Sequence, residues 1–154
     1  MEDLNGDGVD ELLIKCTNSN YPTDIIADAY TYDDSQVKRI LLSWERSFYT
    51  LCEGNVLKYH GSGGACEFED RVCKFEGKFM FTEKCNYTTE MLAAPKTIME
   101  LGMHGGGGSK VPYYFIGEDG IQTTVSDDVA KEKSNQIDSY QTKQVAWTPI
   151  TQAL

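Results

Sequence analysis

The chain reads as a mainly β protein of the β-rich α+β class. It is expected to be an antiparallel meander of hairpins forming a curved sheet or open barrel, with one helix in the C-terminal region. Three observations predict this. β-rich segments alternate with turn signals along most of the length, two hairpins pass a register test, and a single helix signature stands near the C-terminal end.

The first element is Leu12-Leu13-Ile14-Lys15-Cys16, a short apolar run with a β-branched residue, which predicts a buried strand. Next, Ile25 to Tyr32 and Val37 to Trp44 flank Asp33-Asp34-Ser35-Gln36. Phe48 to Cys52 and Val56 to His60 flank Glu53-Gly54-Asn55, and Val72 to Phe75 and Phe79 to Phe81 flank Glu76-Gly77-Lys78. Tyr113 to Ile116 and Ile121 to Val125 flank Glu118-Asp119-Gly120. Each reads as a hairpin, three of them with a glycine free to adopt positive φ in the turn.

Register follows from loop length. A three-residue loop at Glu53-Gly54-Asn55 pairs Leu51 with Leu57 and Tyr49 with Tyr59, one coherent apolar face. The same length at Glu76-Gly77-Lys78 pairs Phe75 with Phe79 and Cys73 with Phe81, whereas a two-residue loop would oppose Phe75 to Lys78. In that register Cys85 lies four residues beyond Phe81. At about 3.3 Å per residue this exceeds the roughly 7 Å Cα limit of a disulfide, so a Cys73–Cys85 bridge is excluded while the register holds.

Ser126 caps a helix reaching Tyr140, with Asp127 and Asp128 in the positive first turn. Val129, Lys133, Ile137 and Tyr140 are expected to share a face. Lys143 to Ile150 returns to an extended pattern around Trp147. Met91 to Leu101 has loose helical spacing broken by Pro95, and the pattern leaves helix and strand open there.

The most specific chemistry precedes all of this. Asp3-Leu4-Asn5-Gly6-Asp7-Gly8-Val9-Asp10-Glu11 follows the pattern D-x-N-x-D-G-x-x-E, which places oxygen ligands on alternate residues around a hard cation. Gly8 stands where such a loop turns sharply. Asp3, Asn5 and Asp7 are the candidate side-chain ligands of Ca2+. Val9 would add its carbonyl, and Glu11 a carboxylate, directly or through water. An EF-hand has a bidentate Glu at its twelfth position, which is Ile14 here, and leads into a helix rather than a strand. A calcium loop running into a strand resembles the FG-GAP repeat of integrin-α-type propellers, whose D-x-N-x-D-G-x-x-D-L core aligns with Asp3 to Leu12, with Glu for the last Asp. At about 40 to 45 residues per blade, 154 residues fall short of the usual four blades, hence the curved meander or open barrel.

The loop, Ala29-Tyr30-Thr31-Tyr32-Asp33, Glu45-Arg46-Ser47-Phe48-Tyr49, Gly61-Ser62-Gly63-Gly64-Ala65, the late helix and Trp147-Thr148-Pro149-Ile150 together are similar to secreted or lipoprotein-type domains of gut Firmicutes. That resemblance implies an extracellular or cell-surface setting and lends no activity. Only Met1 and Glu2 precede Asp3, too few for a leading strand, so the first ligand is expected on a frayed end that binds calcium weakly. Residues 1–154 read as a single β-rich domain, the C-terminal part of a longer chain.

Composition narrows the function. A formal charge of −10 argues against nucleic acid and anionic membrane surfaces. No apolar stretch approaches the 18 or so residues of a transmembrane helix. The five cysteines, Cys16, Cys52, Cys66, Cys73 and Cys85, form no C-x-x-C pair, which disfavours zinc-ribbon and thioredoxin-type sites.

His60-Gly61-Ser62-Gly63-Gly64-Ala65-Cys66 brings a base, a hydroxyl and a thiol close in sequence, but the G-x-S-x-G spacing and its following helix are missing. Gly105-Gly106-Gly107-Gly108-Ser109-Lys110 fails the Walker spacing, and Asn86-Tyr87-Thr88 fits a glycosylation sequon. Glu67/Glu69 and Asp33/Asp34 read as solvated strand edges and turns rather than as hydrolytic carboxylate pairs. The expectation is a calcium-binding, non-enzymatic binding or structural module for an unknown protein or glycan. Tyr30, Tyr32, Tyr49, Tyr59, Tyr113 and Tyr114 are candidate contact aromatics. The alternative is a hydrolase using Cys66 or Ser62 with His60 or His104.

Overall fold

A computed structural model describes residues 1–15, 24–64, 66–83, 89–93, 95–105 and 111–149. Its elements are β1 (Leu12–Lys15), β2 (Ile25–Asp33), β3 (Gln36–Leu42), β4 (Ser47–Cys52), β5 (Val56–Gly64), β6 (Glu67–Lys74), β7 (Phe79–Glu83), β8 (Thr89–Ala93), β9 (Lys96–His104), β10 (Tyr113–Ile116), β11 (Gln122–Val125) and α1 (Asp127–Asp138). Nine strands form one open, curved sheet in the order β1-β2-β4-β5-β6-β9-β10-β11, with β3 also on β2; β7 and β8 pair separately. This is the predicted class, antiparallel β with one late helix.

Local hairpins form where the sequence places them. Tyr49 opposes Tyr59 and Leu51 opposes Leu57 across the β4–β5 turn, where Gly54 and Asn55 take φ of 74° and 57°. β10 and β11 pair around Gly120. The β2–β3 turn is tighter than its flanks suggested. Asp34 and Ser35 both have positive φ, at 50° and 62°, the backbone of a two-residue turn whose twist matches the strands.

One hairpin is corrected. Phe75 does not oppose Phe79 and Cys73 does not oppose Phe81, because both edges of β6 are occupied, by β5 on one side and β9 on the other. Phe75 instead enters the core, 2 % exposed. The register that excluded a Cys73–Cys85 bridge therefore does not exist, although Cys73 is free. Cys85 and Cys16 lie outside the described residues, as do the sequon at Asn86 and most of the glycine run after Gly105. Met91 to Leu101 resolves into strands β8 and β9, with Pro95, which lacks a backbone donor, in the gap between them.

Side-chain alternation gives the sheet two packed faces. On one, Leu13, Ile26, Leu51, Leu57 and Cys73 join Leu4 and Phe75, and Val145 and Trp147 of the C-terminal segment lie against them. On the other, Cys52, Val56, Val72 and Leu101 pack against Ala130 and Ile137 of α1. Ser126 caps the helix by accepting from the Val129 backbone N–H, as expected. Its buried stripe is Ala130 and Ile137, two turns apart, and the predicted Val129 is exposed one residue off that stripe. β1 is also only half-buried, with Leu13 inside and Leu12 exposed.

Candidate functional site

The acidic loop curls around its own side-chain oxygens. Asp3 Oδ1 accepts from Gly6 N at 2.7 Å and Asp3 Oδ2 from Gly8 N at 3.0 Å. Asn5 Oδ1 accepts from Asp7 N at 3.0 Å, Asp7 Oδ1 from Val9 N at 2.8 Å, and Asp7 Oδ2 from the Asn5 amide at 2.8 Å. Gly6 and Gly8 supply the turns this needs, at φ of 78° and 87°. Each oxygen so engaged retains a second lone pair.

The loop's start is well held, contrary to the expectation of a frayed Asp3. Glu2 and Glu11 exchange both backbone hydrogen bonds, and Leu4 is buried in the core. Asn55 donates its amide to the Asp3 carbonyl at 2.6 Å, and Lys143 joins Glu2 at 2.6 Å to Asn55 at 2.8 Å. Tertiary contacts to the β4–β5 turn and the C-terminal segment thus fix the entry of the loop.

Glu11 stands apart from the other candidate ligands. Its side chain is fully buried, with Oε2 accepting from Leu4 N at 2.6 Å and Oε1 from Thr31 Oγ1 at 2.9 Å. Burial raises its pKa, the two hydrogen bonds oppose that rise, and the charges of Asp7 and Asp3 add to it. Asp3 and Asn5 are half-buried and Asp7 is exposed, each accepting from the loop's own backbone, while the Val9 side chain is exposed. Among the described residues, no three His, Cys, Asp or Glu side chains converge as a ready-made metal cage. The donor set nonetheless suits a hard cation: it is all oxygen, and no Lys, Arg or His ion-pairs with Asp3 or Asp7 among the described residues.

The candidate nucleophiles and bases do not assemble. His60 and His104 project from opposite faces of the sheet. His60 opposes Asp70 on the helix-facing side, and its Nδ1 lies 2.6 Å from Asp70 Oδ1. His104 opposes Glu67 and stacks on Tyr114 at 5.0 Å. Among the described residues, neither Ser62 nor Cys66 hydrogen-bonds to a histidine. The candidate contact aromatics are also mostly committed to the fold. Tyr114 is buried, Tyr49 packs on Tyr59 at 4.9 Å, Tyr30 bonds Asp28 and Arg39, and only Tyr32 is exposed.

A charged cluster on the face opposite α1 escaped the sequence reading. Arg71 bonds Glu69 and, at 2.9 Å, Glu100, which also accepts from the Tyr114 hydroxyl at 2.9 Å. Tyr59 lies against the guanidinium at 5.5 Å. Burial pushes Glu69 up while Arg71 pulls it down; burial pulls Arg71 down, and the charges around it, Glu69 and Glu100 foremost, more than offset that. Two acids, one base and a phenol here satisfy one another, which suits a brace inside the sheet. The signal was the alternation of Glu67, Glu69 and Arg71 with Phe68, Asp70 and Val72, which puts three charges on one face.

No protein-family model, no characterised protein and no solved structure matches the chain.

Proposed function

We propose that the chain is a calcium-binding, non-enzymatic module of an extracellular protein, built around an FG-GAP-like loop. One observation carries this reading. The loop orients Asp3, Asn5 and Asp7 by its own backbone donors, yet leaves the two aspartates without a cationic partner among the described residues. Like charges so placed repel, and a bound divalent cation relieves the repulsion. Asp3, Asn5, Asp7 and the Val9 carbonyl are the proposed direct ligands; Glu11, engaged by Leu4 and Thr31, bears on the site through its charge and by anchoring the loop.

Calcium is favoured over magnesium because the donors are several flexible protein oxygens rather than one or two carboxylates in a rigid hydrated octahedron. The extracellular setting rests on the resemblance to secreted domains and fits a weak, millimolar-range calcium module. No described helix is long and apolar enough to cross a membrane. The ligand of the module is a protein or glycan on this reading.

Calorimetry tests it. Calcium at about 100 times its dissociation constant should add about 2.7 kcal/mol of stability to the native chain and none to Asp7→Ala. Identical melting of both proteins with and without calcium overturns the reading.

A further inference from the structure

Across the sheet from the Glu69–Arg71–Glu100 brace, strands β4, β5 and β6 leave a cleft of about 240 Å3 beneath the last turn of α1. Phe48 and Thr50 of β4, Lys58 and His60 of β5, Asp70 of β6, and Ile137 and Asp138 of α1 line it. This volume is below the usual range of drug-sized sites, about 300 to 1,000 Å3.

The charges in the cleft are unequally settled. His60 and Asp70 are bonded to each other at 2.6 Å, which fixes the imidazole. Lys58 and Asp138 have no ion pair with each other or with any other described residue, although both line the same small space. Asp138 is also an acid at a helix C-terminus, where the carbonyl ends already carry partial negative charge and no basic residue occupies the last turn. A cation beside Asp138 would be welcomed by both.

An anion alone fits poorly, because Asp70, Asp138 and the helix end oppose it. A cation alone fits poorly too, because Lys58 shares the cleft. A molecule carrying both charges satisfies each end, and the half-buried Phe48 ring offers apolar surface between them, with Ile137 closed off in the core beneath. We propose that this cleft is a binding site for a small zwitterion of the class of a free α-amino acid with an apolar side chain. Lys58 and the Thr50 hydroxyl take the carboxylate, and Asp138 with the end of α1 takes the ammonium. This assignment uses no residue of the calcium loop, so the two readings fail separately.

Titration calorimetry with L-leucine, N-acetyl-L-leucine and L-leucinamide tests it on the full chain. Leucine should bind at least about tenfold more tightly than either blocked form, the equivalent of about 1.4 kcal/mol. Lys58→Met should erase the difference between leucine and leucinamide, and Asp138→Asn that between leucine and N-acetylleucine. Equal binding of N-acetylleucine would make the cleft an anion site and overturn the proposal. So would the absence of saturable heat with leucine up to about 10 mM. Should a variant fail to fold, discrimination among the three compounds by the native chain decides the matter.

Discussion

The side-chain amide of Asn55 donates to the backbone carbonyl of Asp3 at 2.6 Å, tying the β4–β5 turn to the first acid of the loop. Asn55 also accepts from Lys143 at 2.8 Å and occupies φ of 57°, a conformation that asparagine tolerates better than most residues. One residue therefore closes its own hairpin and positions the candidate cation site.

Asn55→Gly separates these two roles, since glycine keeps the positive φ and loses only the side chain. Loss of the two hydrogen bonds should cost about 1 to 2 kcal/mol of stability. Calcium affinity should fall as well, because Asp3 is then less constrained. Chemical denaturation and calcium titration of this variant check both, and an unchanged calcium affinity would separate the turn from the loop.

Arg71 neutralises two partly buried glutamates at once. Arg71→Met strands both Glu69 and Glu100, and breaking a buried pair in this way costs about 3 to 5 kcal/mol; because Arg71 is about a quarter exposed, the lower end is expected. Replacing Glu69 and Glu100 with glutamine in the same chain should recover much of the loss. Denaturant midpoints for the single and triple variants measure this.

The β4–β5 hairpin and α1 were legible because their determinants are local: Tyr49 faces Tyr59 across one short turn, and Ser126 caps a helix three residues away. Phe75 misled because its hydrophobic pattern fits a hairpin with Phe79 equally well. The actual partners of β6 are β5 and β9, and β9 pairs Thr97 with Cys73 across a separation that no turn signal records. The Glu69–Arg71–Glu100 brace was hidden for the same reason. Charged strand residues look solvated until the third strand arrives, and Glu100 comes from that strand. The loop's oxygen pattern was plain in the sequence, but not that Glu11 turns inward to Thr31.

Stability should fall at alkaline pH through Cys73. Its thiol is fully buried, and burial raises its pKa from 9.0 to about 11, partly offset by Arg71. The thiolate is disfavoured in the fold, so the stabilisation is complete below pH 9 and is lost as pH rises through 9 toward 11. The two-unit difference corresponds to about 2 to 3 kcal/mol. Tyr49, raised chiefly by burial, acts in the same direction at higher pH. Cys73→Ala should flatten the slope of stability between pH 9 and 11, and melting curves across that range measure it. An equally steep slope in the variant would assign the alkaline loss to other groups.

Gly102 opposes Tyr114 in the β9–β10 ladder, and the phenol ring lies where a Cβ on Gly102 would stand. On β5 the ring of Tyr59, two residues before Gly61 on the same strand, likewise lies where a Cβ on Gly61 would stand. The two cases differ in how far the ring can retreat. Tyr114 is buried and held by its hydrogen bond to Glu100, whereas Tyr59 is half-buried and bonds Ser47 at a longer 3.3 Å. Gly102→Ala must therefore displace Tyr114 and disturb Glu100 and Arg71 with it. A cost of about 1 to 3 kcal/mol is expected from the overpacking. Gly61→Ala should cost less, because Tyr59 can rotate toward solvent. A Tyr114→Leu change made together with Gly102→Ala should remove most of the clash while leaving Glu100 short of one donor. Thermal denaturation of the two alanine variants ranks them, and a larger loss for Gly61→Ala would show that Tyr59, not Tyr114, is the ring fixed in place.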